Sequence, residues 1–188
     1  MSLTAQSDAQ RAVIDELSRP AGRVLSQRSS PGGWIAELRK AGGADADAST
    51  VQFVKERRIG AKQLHAVAFR TVDGQSRSFV IGTEQDKTGA WHVSGMAGGG
   101  GNDPHRERPW VNLAGWGWPA SFYGGGNVIG NGCEAAHRVR LRFKNGVELE
   151  DTVDDSLVLF IADRAVKAPA SVDILDSAGL VMETHRAY

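Results

Sequence analysis

Between residues 102 and 123 the chain gathers the side chains best suited to gripping a ligand. Asn102, Asp103, His105 and Arg106 offer directed polar contacts, while Trp110, Trp116, Trp118 and Tyr123 offer flat apolar ones. Such a mixture suits a sugar ring or a small amphipathic molecule: rings cover the apolar faces and the polar groups fix orientation. Trp116 and Trp118 alternate around Gly117, so an extended backbone would set both indoles on one side. The competing assignment is structural, with the rings plugging a seam between two halves of the protein and nearby glycines letting the chain pass close to them.

Other chemistries find less support. The run Gly98 to Gly101 is followed by Asn102-Asp103-Pro104-His105, whereas a phosphate-cradling loop needs Lys then Ser or Thr opening a helix. No βαβ pattern surrounds these glycines, which removes the dinucleotide fingerprint. The five histidines show no close His/Cys pair of the kind zinc sites use, and only a long-range set of Asp103, His105 and Glu107 stays open. His65, beside Val67 on a strand, reads as a hydrogen-bonded core histidine. Ser94 and Ser121 lack the G-x-S-x-G elbow. Cys133 precedes Glu134 and has His137 four residues on, a spacing too slight to signal an activated thiolate, and it reads as structural. Asp154-Asp155 reads as a turn. No catalytic residue, metal or cofactor is implied.

The elements that must carry these groups are mostly strands. Ser7-x-x-Gln10 is a capping box, and Ala9, Val13, Ile14 and Leu17 follow at helical spacing until Pro20 and Gly22. Residues 33 to 40 lean towards strand. From Thr50 to Gly95, short β segments alternate with turn signals, predicting an antiparallel meander under the N-terminal helix. The stretch from 95 to 132 holds twelve glycines among its five large aromatics, which predicts an ordered, non-repetitive connection. From about Ala136 strands return.

Arg138, Arg140, Arg142 and Lys144 share one strand face, a stripe that taken alone suggests a phosphate-binding surface. The neighbouring strand argues otherwise. A three-residue loop, Lys144-Asn145-Gly146, with Gly146 left-handed sets Phe143 opposite Val147 and Leu141 opposite Leu149. Arg142 then meets Glu148 and Arg140 meets Glu150, so the stripe becomes cross-strand ion pairs and nucleic acid is not expected as a partner. The same device in Val72-Asp73-Gly74 sets Val67 opposite Phe79.

Strand spacing after residue 136, with turns at 143–147 and 176–180, resembles a generic immunoglobulin-like or fibronectin-like module. The Cys pair and core Trp of antibody domains are not part of it. The resemblance implies a β-sandwich that binds, spaces or decorates, and it carries over no catalytic residue.

The expectation is an α+β, mostly β protein: helix plus meander over 1–95, a Gly/Trp-rich connection over 96–135, and a small antiparallel β-sandwich over 136–188. Its 22 basic and 22 acidic residues give no global field for nucleic acid or an anionic membrane. No apolar run reaches membrane-spanning length, and a single cysteine fits the cytosol or an exported bacterial protein whose leader has been removed. The expected role is a non-enzymatic interaction or ligand-binding protein, its partner a sugar, a small amphipathic molecule or a protein. Two alternatives stand beside it. One is a curved-sheet pocket with hydrolase or isomerase activity, lined by Trp34, Phe53, Phe69 and Trp91. The other is a structural module that self-associates through an edge strand.

Overall fold

The computed structural model describes residues 7–18, 46–100 and 105–187, with the backbone alone for 98–100 and Trp116. Helix α1 (Asp8–Leu17) starts at the capping box: the Gln10 N–H donates to Ser7 Oγ at 3.2 Å and the Ser7 N–H donates to Gln10 Oε1 at 3.0 Å. Ala9, Val13 and Leu17 form its buried face. Pro20, Gly22, Trp34 and the 33–40 segment lie outside the described residues.

Four strands, β1 (Gln52–Ile59), β2 (Lys62–Arg70), β3 (Ser76–Gln85) and β4 (Trp91–Gly100), form an antiparallel meander in sequence order. Next come β5 (Trp110–Trp116), β6 (Phe122–Ile129), β7 (Arg138–Phe143) and β8 (Glu148–Thr152), then β9 (Leu157–Ala162), β10 (Pro169–Leu175) and β11 (Val181–Arg186). One sheet runs β5-β6-β9 and another β11-β10-β7-β8. The architecture is thus mostly β with an N-terminal helix, and among the described residues every strand pairing is antiparallel.

Four hairpins close with the same three-residue loop, ending in Gly74, Gly89, Gly146 or Gly179, with φ between 79° and 85°. In each, the glycine N–H donates to the carbonyl three residues back, the geometry of a type I turn followed by a G1 bulge. That loop sets the registers expected from the core face. Leu141 pairs with Leu149, Arg142 with Glu148 and Arg140 with Glu150, while Val67 pairs with Phe79. The arginine stripe accordingly meets carboxylates, with Arg140 Nε at 2.8 Å from Glu150 and Arg142 Nε at 2.9 Å from Glu148.

One structural expectation is corrected. The Gly/Trp-rich segment is not a non-repetitive loop: its first residues extend β4, residues 110–129 form the β5–β6 hairpin, and β5 and β6 supply two of the three strands in the second layer of the sandwich. Residues beyond 136 contribute only β9 to that layer. Backbone proximity explains how so many glycines suit strands here. A Cβ on Gly125 would stand 2.2 Å from the Val158 carbonyl oxygen and 3.2 Å from Val80 Cγ1. Strand β6 therefore lies closer to its neighbours than any side chain permits, and the ladder hydrogen bonds make up for the lost β propensity.

The sheets stack in layers. α1 covers one face of the meander through Val13 and Leu17 against Val67, Phe79, Ile81 and Met96. The opposite face presents Leu64, Ala66 and Val80 to Leu157 and Leu159 of β9. The other side of β9, Val158 and Phe160, joins Phe122 and Val128 against Val139, Leu141 and Val172. The run LVLFI is apolar without alternation because β9 is buried on both faces. A buried carboxylate ties the layers together. Asp151 accepts from Lys55 Nζ at 2.9 Å, from Arg57, and from the Leu159 N–H at 2.7 Å. Among the described residues, no helix is long and apolar enough to cross a membrane.

Candidate functional site

The corner where β5 begins meets the middle of β11. Pro109 leads the chain into β5, and the preceding turn is pinned by the Asn131 N–H donating to the Arg106 carbonyl at 3.0 Å. Gly130 makes that approach possible, since a Cβ there would stand 2.3 Å from the Arg108 carbonyl oxygen. The turn and β11 enclose an open cleft of about 480 Å³, lined by residues 105 to 110 and by Glu183. This is within the size range of small-molecule sites.

Trp110 forms one wall and is held by two neighbours. The His185 imidazole stacks on it with ring centroids 3.6 Å apart and planes 16° from parallel. The Arg106 guanidinium carbon lies 4.5 Å from the indole centroid, a cation–π distance. His185 Nε2 accepts the Val111 N–H at 3.1 Å, so Nε2 carries no proton. Nδ1–H then donates to the Arg186 carbonyl at 2.8 Å, and the ring is neutral. Burial pushes the His185 pKa below the ordinary imidazole value, opposed by the Arg186 carbonyl and by Glu183 and Asp173, while Arg106 adds to the lowering. With both ring nitrogens engaged by backbone, His185 is a clamp for Trp110 and not a proton-transfer group. Arg108 reaches Glu183 across the cleft at 3.4 Å.

Of the residues expected to bind a ligand, His105, Arg106 and Trp110 line this cleft. Tyr123 does not: it faces the meander, where Lys62 Nζ donates to its hydroxyl at 3.0 Å and lies 4.3 Å from the ring centroid. Trp118 stands at the β5–β6 turn, 39% exposed, with its ring 6.1 Å from Phe122. Gly117 has φ 93°, so the backbone between Trp116 and Trp118 is not extended, and alternation no longer sets their side chains on one face. Asn102 and Asp103 lie outside the described residues, as does the Trp116 side chain. The seam expected to be plugged by rings is filled instead by aliphatics of β2, β3 and β9, with Tyr123 at its border.

Sequence reasoning missed Arg108, Glu183 and His185 as parts of the site. Glu183 lies 75 positions from Arg108, and the His185 ring bonds a backbone 74 positions away. No local spacing signals such a meeting.

His65 is a hydrogen-bonded core histidine. Nδ1 lies 2.6 Å from Glu56 Oε1 and Nε2 lies 3.0 Å from Thr83 Oγ1, a hydroxyl–imidazole–carboxylate chain. Thr83 is 1% exposed and His65 fully buried, so no substrate reaches the hydroxyl. Burial lowers the His65 pKa, and Glu56 opposes it. Glu56 also accepts from Gln10 and Gln63, each at 3.1 Å, which makes the cluster a fastener for α1. The side chains offered for a curved-sheet pocket pack on others. Phe69 stacks on Phe79 at 5.5 Å, Phe53 meets His65 edge-on, and Arg58 covers Trp91. Cys133 is half-buried, and burial together with Glu134 raises its thiol pKa. Among the described residues, no group of three His, Cys, Asp or Glu side chains is placed to hold a metal.

No family matches the chain, and neither a characterised protein nor a solved structure shows significant similarity to it.

Proposed function

We propose that this protein is a non-enzymatic binder of a small amphipathic molecule, and that its binding site is the cleft between the 105–110 turn and β11. The observation that carries this reading is Trp110, an aromatic wall whose orientation is preset by the His185 stack, beside a cleft of about 480 Å³. A wall ordered before binding reduces the entropy that a ligand must overcome. The histidine that touches the Trp110 wall, His185, has both ring nitrogens engaged in fixed hydrogen bonds to backbone, which suits holding the wall in place. The immunoglobulin-like resemblance agrees with a binding role. Its sandwich would borrow β5 and β6 from the segment that forms the cleft.

A thermal-shift screen of sugars, aromatic acids, nucleotides and lipids tests the reading, followed by amide chemical-shift mapping of any hit. A ligand at about 100 times its Kd adds about 2.7 kcal/mol, a shift of several degrees. The shifted amides should be those of residues 105 to 110 and Glu183. A hit whose shifts cluster around Trp118 or the meander would refute the cleft.

Self-association is a second reading. Leu180 and Val181, 68% and 52% exposed, open strand β11, which pairs only with β10 among the described strands. Concentration-dependent elution that is abolished by Val181→Lys would favour it.

A further inference from the structure

Among the described residues, Arg106 is the cleft-lining arginine with no carboxylate within ion-pair distance. Arg57, Arg108, Arg138, Arg140 and Arg142 each have a carboxylate within ion-pair distance. Arg106 is half-buried, its Nε is buried without a hydrogen-bond partner, and no described carboxylate lies within ion-pair distance of it. Its contact in the cleft is the indole face of Trp110. Burying one guanidinium N–H without a partner is costly, and folded proteins rarely leave such a donor unsatisfied. Two arginines and two glutamates line the cleft, but only Arg108 and Glu183 are paired across it; Glu107 lies beyond ion-pair distance of Arg106, which leaves that guanidinium open to a ligand.

We propose that the ligand of this cleft carries one oxyanion group, a carboxylate or a phosphate, which pairs with Arg106, and a flat apolar body that lies along Trp110. The proposal rests on the cleft being the binding site and adds the ligand's charge to it. A planar guanidinium holds either oxyanion in a two-pronged pair, and the nearby indole keeps the pair dry enough to matter. Arg108 adds attraction when the anion draws it from Glu183, which costs little because its side chain is 78% exposed and the contact is 3.4 Å. A neutral sugar would leave the Arg106 charge uncompensated.

The test uses four probes on the full chain: 2-naphthoate, 2-naphthyl phosphate, 2-naphthalenemethanol and inorganic phosphate. Binding is followed by the amide shifts of residues 105 to 110. Both naphthyl anions should bind at least about ten-fold more tightly than the alcohol, the range of a charge-assisted pair. Whichever anion binds more tightly names the oxyanion. Arg106→Gln should reduce both anions to the affinity that the same variant shows for the alcohol, while Arg106→Lys should retain part of the preference. Equal binding of alcohol and anions at these residues would overturn the charge assignment and leave the cleft standing. No probe shifting these amides would overturn both. Inorganic phosphate binding as tightly as naphthyl phosphate would remove Trp110 from the recognition.

Discussion

Acidification should loosen the Trp110 corner through His185. In the fold, Nε2 accepts the Val111 N–H, and protonation would turn that acceptor into a second donor facing the first. Burial already holds the pKa below the ordinary 6.5. The unfolded chain therefore takes up a proton near pH 6.5, while the folded protein resists until lower pH. In that window the unfolded state binds more protons, so stability falls as pH falls, by at most about 1.4 kcal/mol per pH unit for one imidazole. The loss ceases once pH passes below the folded pKa. His65, lowered by its own burial, contributes a parallel loss, so the effect of His185 must be isolated by difference. The charged groups facing the ring, Arg106, Glu183 and Asp173, stay in place in both proteins compared. The comparison is urea unfolding of the natural chain and His185→Gln, from about pH 7.5 to about pH 5. The Gln amide oxygen can still accept the Val111 N–H. Between the unfolded and the folded pKa the variant's curve should be flatter by up to one proton, at most about 1.4 kcal/mol per pH unit. Parallel curves would mean that His185 is not a buried neutral acceptor, and the clamp on Trp110 would fall with it.

Gly125→Ala should destabilise the fold by about 3 kcal/mol or more in chemical denaturation, because the new Cβ would meet the Val158 carbonyl oxygen at 2.2 Å. Gly146→Ala, with φ 79° and open space around the Cβ, should cost only about 1–2 kcal/mol; equal losses at the two sites would contradict the close strand packing. Asp151→Ala should cost about 2–3 kcal/mol, chiefly by leaving the buried Leu159 N–H without its acceptor, because Lys55 keeps Asp154 at 2.6 Å and Arg57 is 45% exposed. A double-mutant cycle on Arg140 and Glu150 should give well under about 1 kcal/mol, and a coupling there as large as that of Lys55 with Asp151 would upset the burial argument. Cys133 should react with a disulfide reagent more slowly than a small free thiol at neutral pH, because its thiol is held protonated.

Local rules carried far in this chain. The capping box located α1, and x-x-Gly loops located hairpins, because both are satisfied by atoms within a few residues. The pairings of Arg140 with Glu150 and of Val67 with Phe79 followed from loop length and core face together. Of the binding residues, Arg106 and Trp110 were visible as a polar–aromatic cluster. Their neighbours were not, because Glu183 and His185 belong to a strand that arrives from the far end of the chain.

The glycine run of β6 misled for a related reason. Glycine weakens a strand in isolation, and its suitability here depends on the carbonyls of Ala114, Asn112 and Val158 pressing close from two neighbouring strands. Helix start, hairpin loops and strand register were therefore decided by the amino-acid order itself, where one turn or one pair of facing strands is the whole environment. The three-sheet stack, the Asp151 fastener and the Trp110 cleft were decided by tertiary structure. Each needs groups more than seventy residues apart to share a few ångströms, and only burial of the core faces brings them together.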